Sequence, residues 1–377
     1  MTVPALLDAA SAALLLAMLG VALANLLTAP RLERAGEPAG LPLVSLLVPA
    51  RDEAANLRAH LPLLLASDYP RLEVVVLDDG SMDGTSAVVE SLARADGRLR
   101  LVRGAELAPG WLGKCWACRQ LADEAAGDVL LFCDADVAAG PRAVRRTVAL
   151  LWRRAAAVTA IPRHELRTWA EAAVVPLVAH LPVVATLPLA LVPRTAAPSL
   201  SMANGQWLAF TREAYERVGG HAAVRAKVLD DVELGRAVKR AGLRLVAAIA
   251  AEDLSVRMYR GWGEVRAGFR KNLYALLGGR PAAFVLGSGI VLLALVYPWA
   301  AVVRGSAAAL ALLGLLLALR AVPALLFRHP FRSVLLHPAG SILGLAIAVE
   351  SFRTRGRVSW RGRTVDTADG HAPAPAR

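Results

Sequence analysis

Two kinds of hydrophobic pattern divide the chain. Long uncharged stretches lie toward both ends, and short apolar runs followed by acidic turns fill the middle. Residues 9–30 carry no charge, about the span of a bilayer core. Residues 281–303, 305–319 (running on to 327 past Arg320) and 333–349 repeat the pattern. These stretches predict an N-terminal membrane anchor and three C-terminal apolar segments. The last two are short or interrupted, so one of them is open to a re-entrant or buried reading. A cleaved leader would carry basic residues ahead of its apolar stretch. The first Lys or Arg is Arg31, so a retained anchor is expected.

Between Arg31 and Arg280 the elements shorten. Apolar runs at 43–48, 72–77, 99–102 and 129–133 read as buried strands. Helical spacing fills 53–66, 84–95 and 114–126 between them. Strands alternating with helices imply βαβ units and an α/β domain with a mostly parallel sheet, covered on both faces. Ligands bind such sheets beyond the carboxyl ends of the strands, so the residues after each strand matter most.

Those strand ends deliver carboxylates to one rim. P49-A-R-D-E53 follows the first strand, D78-D-G-S-M-D83 the second and D134-A-D136 the fourth. Clustered acids repel one another, so a cation is expected among them. Mg²⁺ or Mn²⁺ takes carboxylate oxygens and bridges to phosphates. The plain alternatives are a solvated turn for 134–136 and an Asp/Gly turn for 78–83, where the functional reading is a carboxylate clamp on a nucleoside. L229-D-D-V-E-L-G opens a helix with acids at its start. They either cap the helix and complement its dipole, or supply a general base. The G-x-G-x-x-G, P-loop and G-x-S-x-G patterns are missing, which argues against NAD, a P-loop NTPase and a serine hydrolase.

Composition supports the membrane reading. Hydrophobic residues make up 56% of 377, aromatics 5%, and the mean hydropathy is +0.47. The net charge of +12 suits anionic lipid on the cytoplasmic side. No basic run is interleaved with aromatics, so nucleic acid is not an expected partner. Arg31 and Arg34 follow the first anchor and place the middle domain in the cytoplasm, on an integral protein of the cytoplasmic membrane. Three crossings after that domain would leave the tail outside. Arg353, Arg355, Arg357, Arg361 and Arg363 favour the inside. Residues 371–377 are expected to be disordered.

Other candidates are weaker. Cys115 and Cys118 form a C-x-x-C within G110-W-L-G-K-C-W-A-C118, a spacing used for thiol redox chemistry and zinc. There is no second pair, and three cysteines fit a reducing compartment. His164, His180 and His221 show no metal-ligand spacing and read as surface or satisfied histidines. Residues 171–194 are apolar but carry Pro176, Pro182, Pro188 and Pro193, so they read as a broken, membrane-apposed insertion or a buried loop.

Taken in order, VSLLVPARDEAANL, VVVLDDGSMDGT, LLFCDADV, NGQWLAF and LDDVELGRAVKRAG resemble the family-2 glycosyltransferases of GT-A fold over roughly residues 43–275. The apolar ends are similar to a subgroup acting on lipids, with hopanoid-associated and carotenoid glycosyltransferases among its members. The resemblance implies an inverting transfer of sugar from a UDP- or GDP-linked donor to a lipid hydroxyl. It implies that Pro49, Ala50, Arg51 and Glu53 line the nucleoside pocket and that Asp79, with Asp78 beside it, contacts the base. Asp136 would bind the divalent cation, and Asp134 the donor or the metal. Asp231 matches the general base, with Asp230 beside it. Lys114 belongs to a similar G-W-x-G-K element and would meet donor phosphates at a helix N-terminus. Trp111, Gln206 and Trp207 would line the cleft or acceptor side; Trp116 is expected to pack its helix. Arg257, Arg260 and Trp262 resemble the Q/R-x-x-R-W signature of processive relatives. Gly261 interrupts it, which argues for transfer of a single sugar. The same segment, with Phe269, Arg266, Arg270 and Lys271, suits a membrane surface.

The expected organisation is an anchor (1–30), a catalytic domain (31–255), an interfacial amphipathic segment (256–280), membrane helices (281–350) and a basic tail (351–377). Two other functions are compatible with the sequence. One is a membrane thiol oxidoreductase using Cys115 and Cys118. The other is a non-catalytic nucleotide-binding membrane partner.

Overall fold

The computed structural model describes residues 2–152, 155–354, 357–360 and 363–366. The expectation of disorder at 371–377 lies outside them. Ten strands precede the last helices: β1 (Val44–Ala50), β2 (Leu72–Asp78), β3 (Leu99–Arg103), β4 (Val129–Cys133), β5 (Val137–Ala139), β6 (Ala157–Ile161), β7 (Arg163–His164), β8 (Trp207–Thr211), β9 (Leu245–Ile249) and β10 (Leu254–Val256). The main sheet has the order β3-β2-β1-β4-β8-β6-β9, and β5-β10-β7 form a smaller one. Only β8 runs against its neighbours in the main sheet. The fold is therefore the expected α/β one with a mostly parallel sheet.

Central strands such as β2 and β4 are buried almost throughout because helices cover both faces, which is why they read as continuous apolar runs. The helices Ala54–Leu65, Thr85–Ala93 and Gly113–Glu124 follow the strands they were expected to follow. In the parallel register Ala50 lies opposite Asp78, and the Asp79 N–H reaches back to the Ala50 carbonyl at 2.8 Å. The loops after β1 and β2 are thus bonded side by side.

The first helix spans Val3–Thr28, starting six residues before the uncharged stretch because Asp8 joins it. Its end is fastened to the sheet: Ile249 N–H donates to the Pro30 carbonyl at 2.8 Å, extending the edge of β9. Pro281–Val303 and Ala309–Leu326 complete a bundle with it. At the ends remote from the sheet, Asp8 accepts from Tyr297 (2.7 Å), Arg304 (2.8 Å) and Ser306 (2.7 Å). All three helices are long and apolar enough to cross a membrane.

The expected fourth stretch differs. It holds a short helix, Arg332–Leu335, and then His337–Arg353, a 17-residue helix that is not among the candidate spans. It packs on the helix Trp262–Leu276 through the Arg266–Glu350 ion pair (2.8 Å) and a Tyr274 N–H to Ser351 bond (2.9 Å). By length and apolar content, two candidate spans follow the sheet domain, Pro281–Val303 and Ala309–Leu326, where three stretches were expected.

Residues 169–186 are also apolar enough to span, and most of them are buried within the protein. Thr168 and Glu171 form a capping box at the start. At the finish Asn25, near the end of the first helix, donates to the Val184 and Leu187 carbonyls and accepts from Leu189 N–H, each at 2.8 Å. The helix widens to a π-turn over Pro176–His180, just before Pro182, whose missing N–H breaks the normal ladder.

Candidate active site

A cleft of about 1010 Å³ opens at the carboxyl ends of β1, β2 and β4. The loops after β1 and β2 form one wall, knitted together by Asp83. Its carboxylate accepts from Ala54 N–H (2.9 Å) and Thr85 N–H (3.0 Å), capping the helices after both strands. Arg51 reaches the Asp79 carbonyl at 2.8 Å and lies 3.6 Å from its carboxylate. Pro49, Ala50, Arg51, Glu53 and Asp79 all face the cleft.

The floor is built from three distant segments. Lys114, at the start of the helix Gly113–Glu124, places Nζ 2.6 Å from Asp134 Oδ1. Burial works against this charge, but Asp134 and Asp230 outweigh it and hold the amine above the usual lysine range. Asp231 sits in the first turn of the helix Asp230–Arg240. Its Oδ2 accepts from Gly205 N–H and its Oδ1 from Val232 N–H, both at 2.8 Å. Burial raises its carboxyl above the usual range, against the pull of Lys114. A side chain at Gly205 would put its Cβ 3.2 Å from Lys114 Nζ and 3.5 Å from Asp231, in ordinary contact with the aspartate but close enough to shift the amine by a few tenths of an ångström. Asp230 lies behind, 3.8 Å from His221, and burial pushes its carboxyl up to about 6.

Asp136 is half-buried beside this group. Its Oδ1 has no hydrogen-bond partner, and burial, then the charges of Asp134 and Glu53, push its carboxyl up to about 7. An uncommitted buried carboxylate oxygen paired with Asp134 fits a divalent cation.

The roof is the segment 257–272. Arg257 donates to Glu171 (3.0 Å), whose side chain is 1% exposed, and Arg260 donates to Asn56 across the cleft (3.0 Å). Glu264, Ala267, Gly268, Lys271 and Asn272 present one helical face to the cleft.

Comparison with known proteins gives this arrangement a family. The model for glycosyltransferase-like family 2 matches residues 42–276. The chain belongs to that family. A 4,4'-diaponeurosporenoate glycosyltransferase of Staphylococcus haemolyticus is 26% identical over 243 residues, covering 61% of this chain and 60% of the relative. A β-monoglucosyldiacylglycerol synthase of Synechocystis sp. is 34% identical over 109 residues, 28% of this chain and 22% of the relative. The chain thus spans less than two thirds of the curated relatives it matches. Among solved structures, the mannosyltransferase PcManGT of Pyrobaculum calidifontis, in complex with GDP-Man and Mn²⁺, has a TM-score of 0.55 at 24% identity. It covers 92% of this chain and 99% of its own, and shows the shared GT-A fold.

Not every residue singled out from this family-2 sequence reaches the cleft. Asp78 is turned into its own loop, accepting from Ser81 N–H (2.8 Å) and from Ser86. Trp207 is fully buried in the sheet and donates to Thr147 (2.9 Å), while Gln206 beside it lines the cleft. Trp262 stands outside, stacked on the exposed Trp169 with ring centroids 6.5 Å apart. Trp111 lines the cleft and packs edge-on against Trp116 at 5.0 Å.

Cys115, Cys118 and Cys133 are buried free thiols, and burial pushes all three upward, so they stay protonated and ill suited to thiolate chemistry. His164, His180 and His221 are buried rather than at the surface. His180 bonds His329 at 2.9 Å, and His221 bonds the Tyr215 hydroxyl at 2.9 Å. Among the described residues, no group of three or more His, Cys, Asp or Glu is arranged to hold a metal.

Sequence reasoning missed Glu171. It accepts from Arg257, from Gly261 N–H (2.8 Å) and from Arg167 N–H (2.7 Å), and so fixes the roof. The T168-W-A-E171 capping-box pattern was its one available signal. Gly261, the residue that interrupts the R-W signature, has φ 85° and ψ −178°. Only glycine adopts that conformation readily, and it aims the N–H at Glu171.

Proposed function

We propose that this chain is an inverting glycosyltransferase moving one sugar from a nucleotide-diphosphate donor to a lipid hydroxyl at the cytoplasmic membrane face. The observation that carries this reading is the juxtaposition of Asp231, Lys114 and Asp134 in one cleft roofed by an amphipathic helix. The names of the relatives support it: one is a diaponeurosporenoate glycosyltransferase and one a synthase of β-monoglucosyldiacylglycerol. PcManGT, bound to GDP-Man and Mn²⁺, supports a nucleotide-sugar donor and a divalent cation.

Asp134 and Asp136 would hold the cation, which when bound offsets the charge gathering on the leaving diphosphate. The chain's own groups do the rest. The 49–53 loop and Asp79 hold the nucleoside, and Arg260 and Lys114 face the phosphates. Asp231 takes the proton from the acceptor hydroxyl as its oxygen attacks the anomeric carbon. The new C–O bond forms opposite the one breaking to the diphosphate, so a single displacement inverts configuration. Burial makes Asp231 a stronger base than an exposed aspartate, and the two backbone N–H bonds fix its direction. Arg31 and Arg34 after the first helix support the cytoplasmic orientation.

The deciding experiment is Asp231→Asn in the purified full chain. Turnover is expected to fall at least about 100-fold while nucleotide–Mn²⁺ affinity stays the same. Full activity in that variant would sink the base assignment. Lipid mass spectrometry of cells with and without the active gene would reveal the acceptor as a lost hexose adduct.

A further inference from the structure

A second polar centre lies away from the cleft, inside the helix bundle. Arg320, in the apolar helix Ala309–Leu326, is 1% exposed. Its Nη2 donates to the Ser333 carbonyl at 2.9 Å, while Nε and Nη1 have no partner. Among the described residues no carboxylate lies within ion-pair distance of it. The groups around it are likewise uncommitted and buried. Ser333 Oγ and His329 Nδ1 lack partners, and so does Nδ1 of His337, whose Nε2 is taken by the Leu295 carbonyl (3.0 Å) and Ser341 (3.1 Å). The Arg320 charge is felt at both histidines. Burial first, then His164 and Arg320, lower the His329 pKa to about 3, so it stays neutral and can donate from one ring nitrogen.

A buried guanidinium with unused N–H groups is costly unless an anion balances it. Ser333, His329 and His337 offer uncommitted polar atoms beside it, and no ion pair to Arg320 is present among the described residues. We propose that Arg320, His329 and Ser333 form a binding site for a phosphate-type oxyanion, supplied by the headgroup of an anionic phospholipid. The position favours a lipid source. Leu325, at the end of the Arg320 helix, and Phe331 and Leu335, on the connection that follows, are 67%, 71% and 63% exposed, as a lipid-facing surface would be. The connection is also docked on the sheet domain, through Arg332 to the Leu166 carbonyl (2.6 Å) and the Arg328–Glu252 ion pair. That places the site at the headgroup depth nearest the catalytic domain, where basic pockets between helices bind anionic lipids.

The test uses the purified, delipidated full chain in a neutral detergent, followed by thermal unfolding with added lipid. Phosphatidylglycerol is expected to raise Tm by about 4 °C and phosphatidylcholine to leave it unchanged. Arg320→Met should abolish the response, and Arg320→Lys should keep part of it. An equal rise with millimolar inorganic phosphate would confirm the oxyanion site and overturn its lipid source. No response from the natural chain to either probe, or an undiminished response in Arg320→Met, would overturn the site itself. Should Arg320→Met fail to fold, native mass spectrometry of the natural chain decides: a retained anionic phospholipid supports the proposal, and none counts against it.

Discussion

Lys114 Nζ lies 2.6 Å from Asp134 Oδ1, joining the start of one helix to a strand end 20 residues later. This lysine neutralises the carboxylate that the proposed reaction needs for its cation or donor. Lys114→Met should therefore leave Asp134 uncompensated and remove a contact to the leaving phosphates. Nucleotide–Mn²⁺ affinity is expected to fall about tenfold, with Lys114→Arg recovering part of it. Calorimetric titration of the two variants checks this, and an unchanged affinity in Lys114→Met would remove the residue from the donor site.

Glu171 should make stability sensitive to acid. Burial alone would raise its carboxyl, yet Arg257 and the N–H groups of Arg167 and Gly261 hold it down at about 2. A depressed folded-state value means the contribution is present above about 4.5, the unfolded value, and is lost as pH falls from there toward 2. Glu171→Ala should cost about 3 kcal/mol at neutral pH, because it strands Arg257. Its melting temperature should also lose part of the dependence on pH between 5 and 3. Equal slopes in the variant and the natural chain would contradict this role.

Gly261→Ala tests the roof by backbone rather than charge. A side chain at φ 85° and ψ −178° is expected to cost about 1–3 kcal/mol and to loosen the Arg257–Arg260 loop. The predicted signature is a lower Tm together with a weaker hold on nucleotide.

Cys115→Ser with Cys118→Ser should leave transfer activity within about twofold, given adequate folding, since neither thiol is placed for chemistry. Loss of activity in the folded double variant would revive the thiol oxidoreductase reading.

Much of the fold was legible because central parallel strands write themselves as unbroken apolar runs. Residues 129–133 were read as they stand, and the first three strands to within two residues. Strands β5, β7 and β10 have two or three residues each, too few to show a period. Of the site, the acids after the strands were visible, but not which of two neighbours faces the ligand. Asp78 and Asp79 are adjacent, and the chain turns one into its loop and the other into the cleft. Glu171 was hidden because its partners come 86 and 90 residues later.

The apolar cluster under the sheet runs from Leu47, Phe132 and Ile249 through Leu189 and Val192 to Leu15 and Ala22 of the first helix. That helix is therefore less a tether than part of the domain's own interior. Cutting the chain after residue 30 would strip one side of this cluster and free the edge held by Pro30. The fragment that remained would be short of a wall, and it would be expected to clump rather than dissolve. On the proposed reading, the height of the sheet domain above the bilayer would then be set by the same contacts that complete its core.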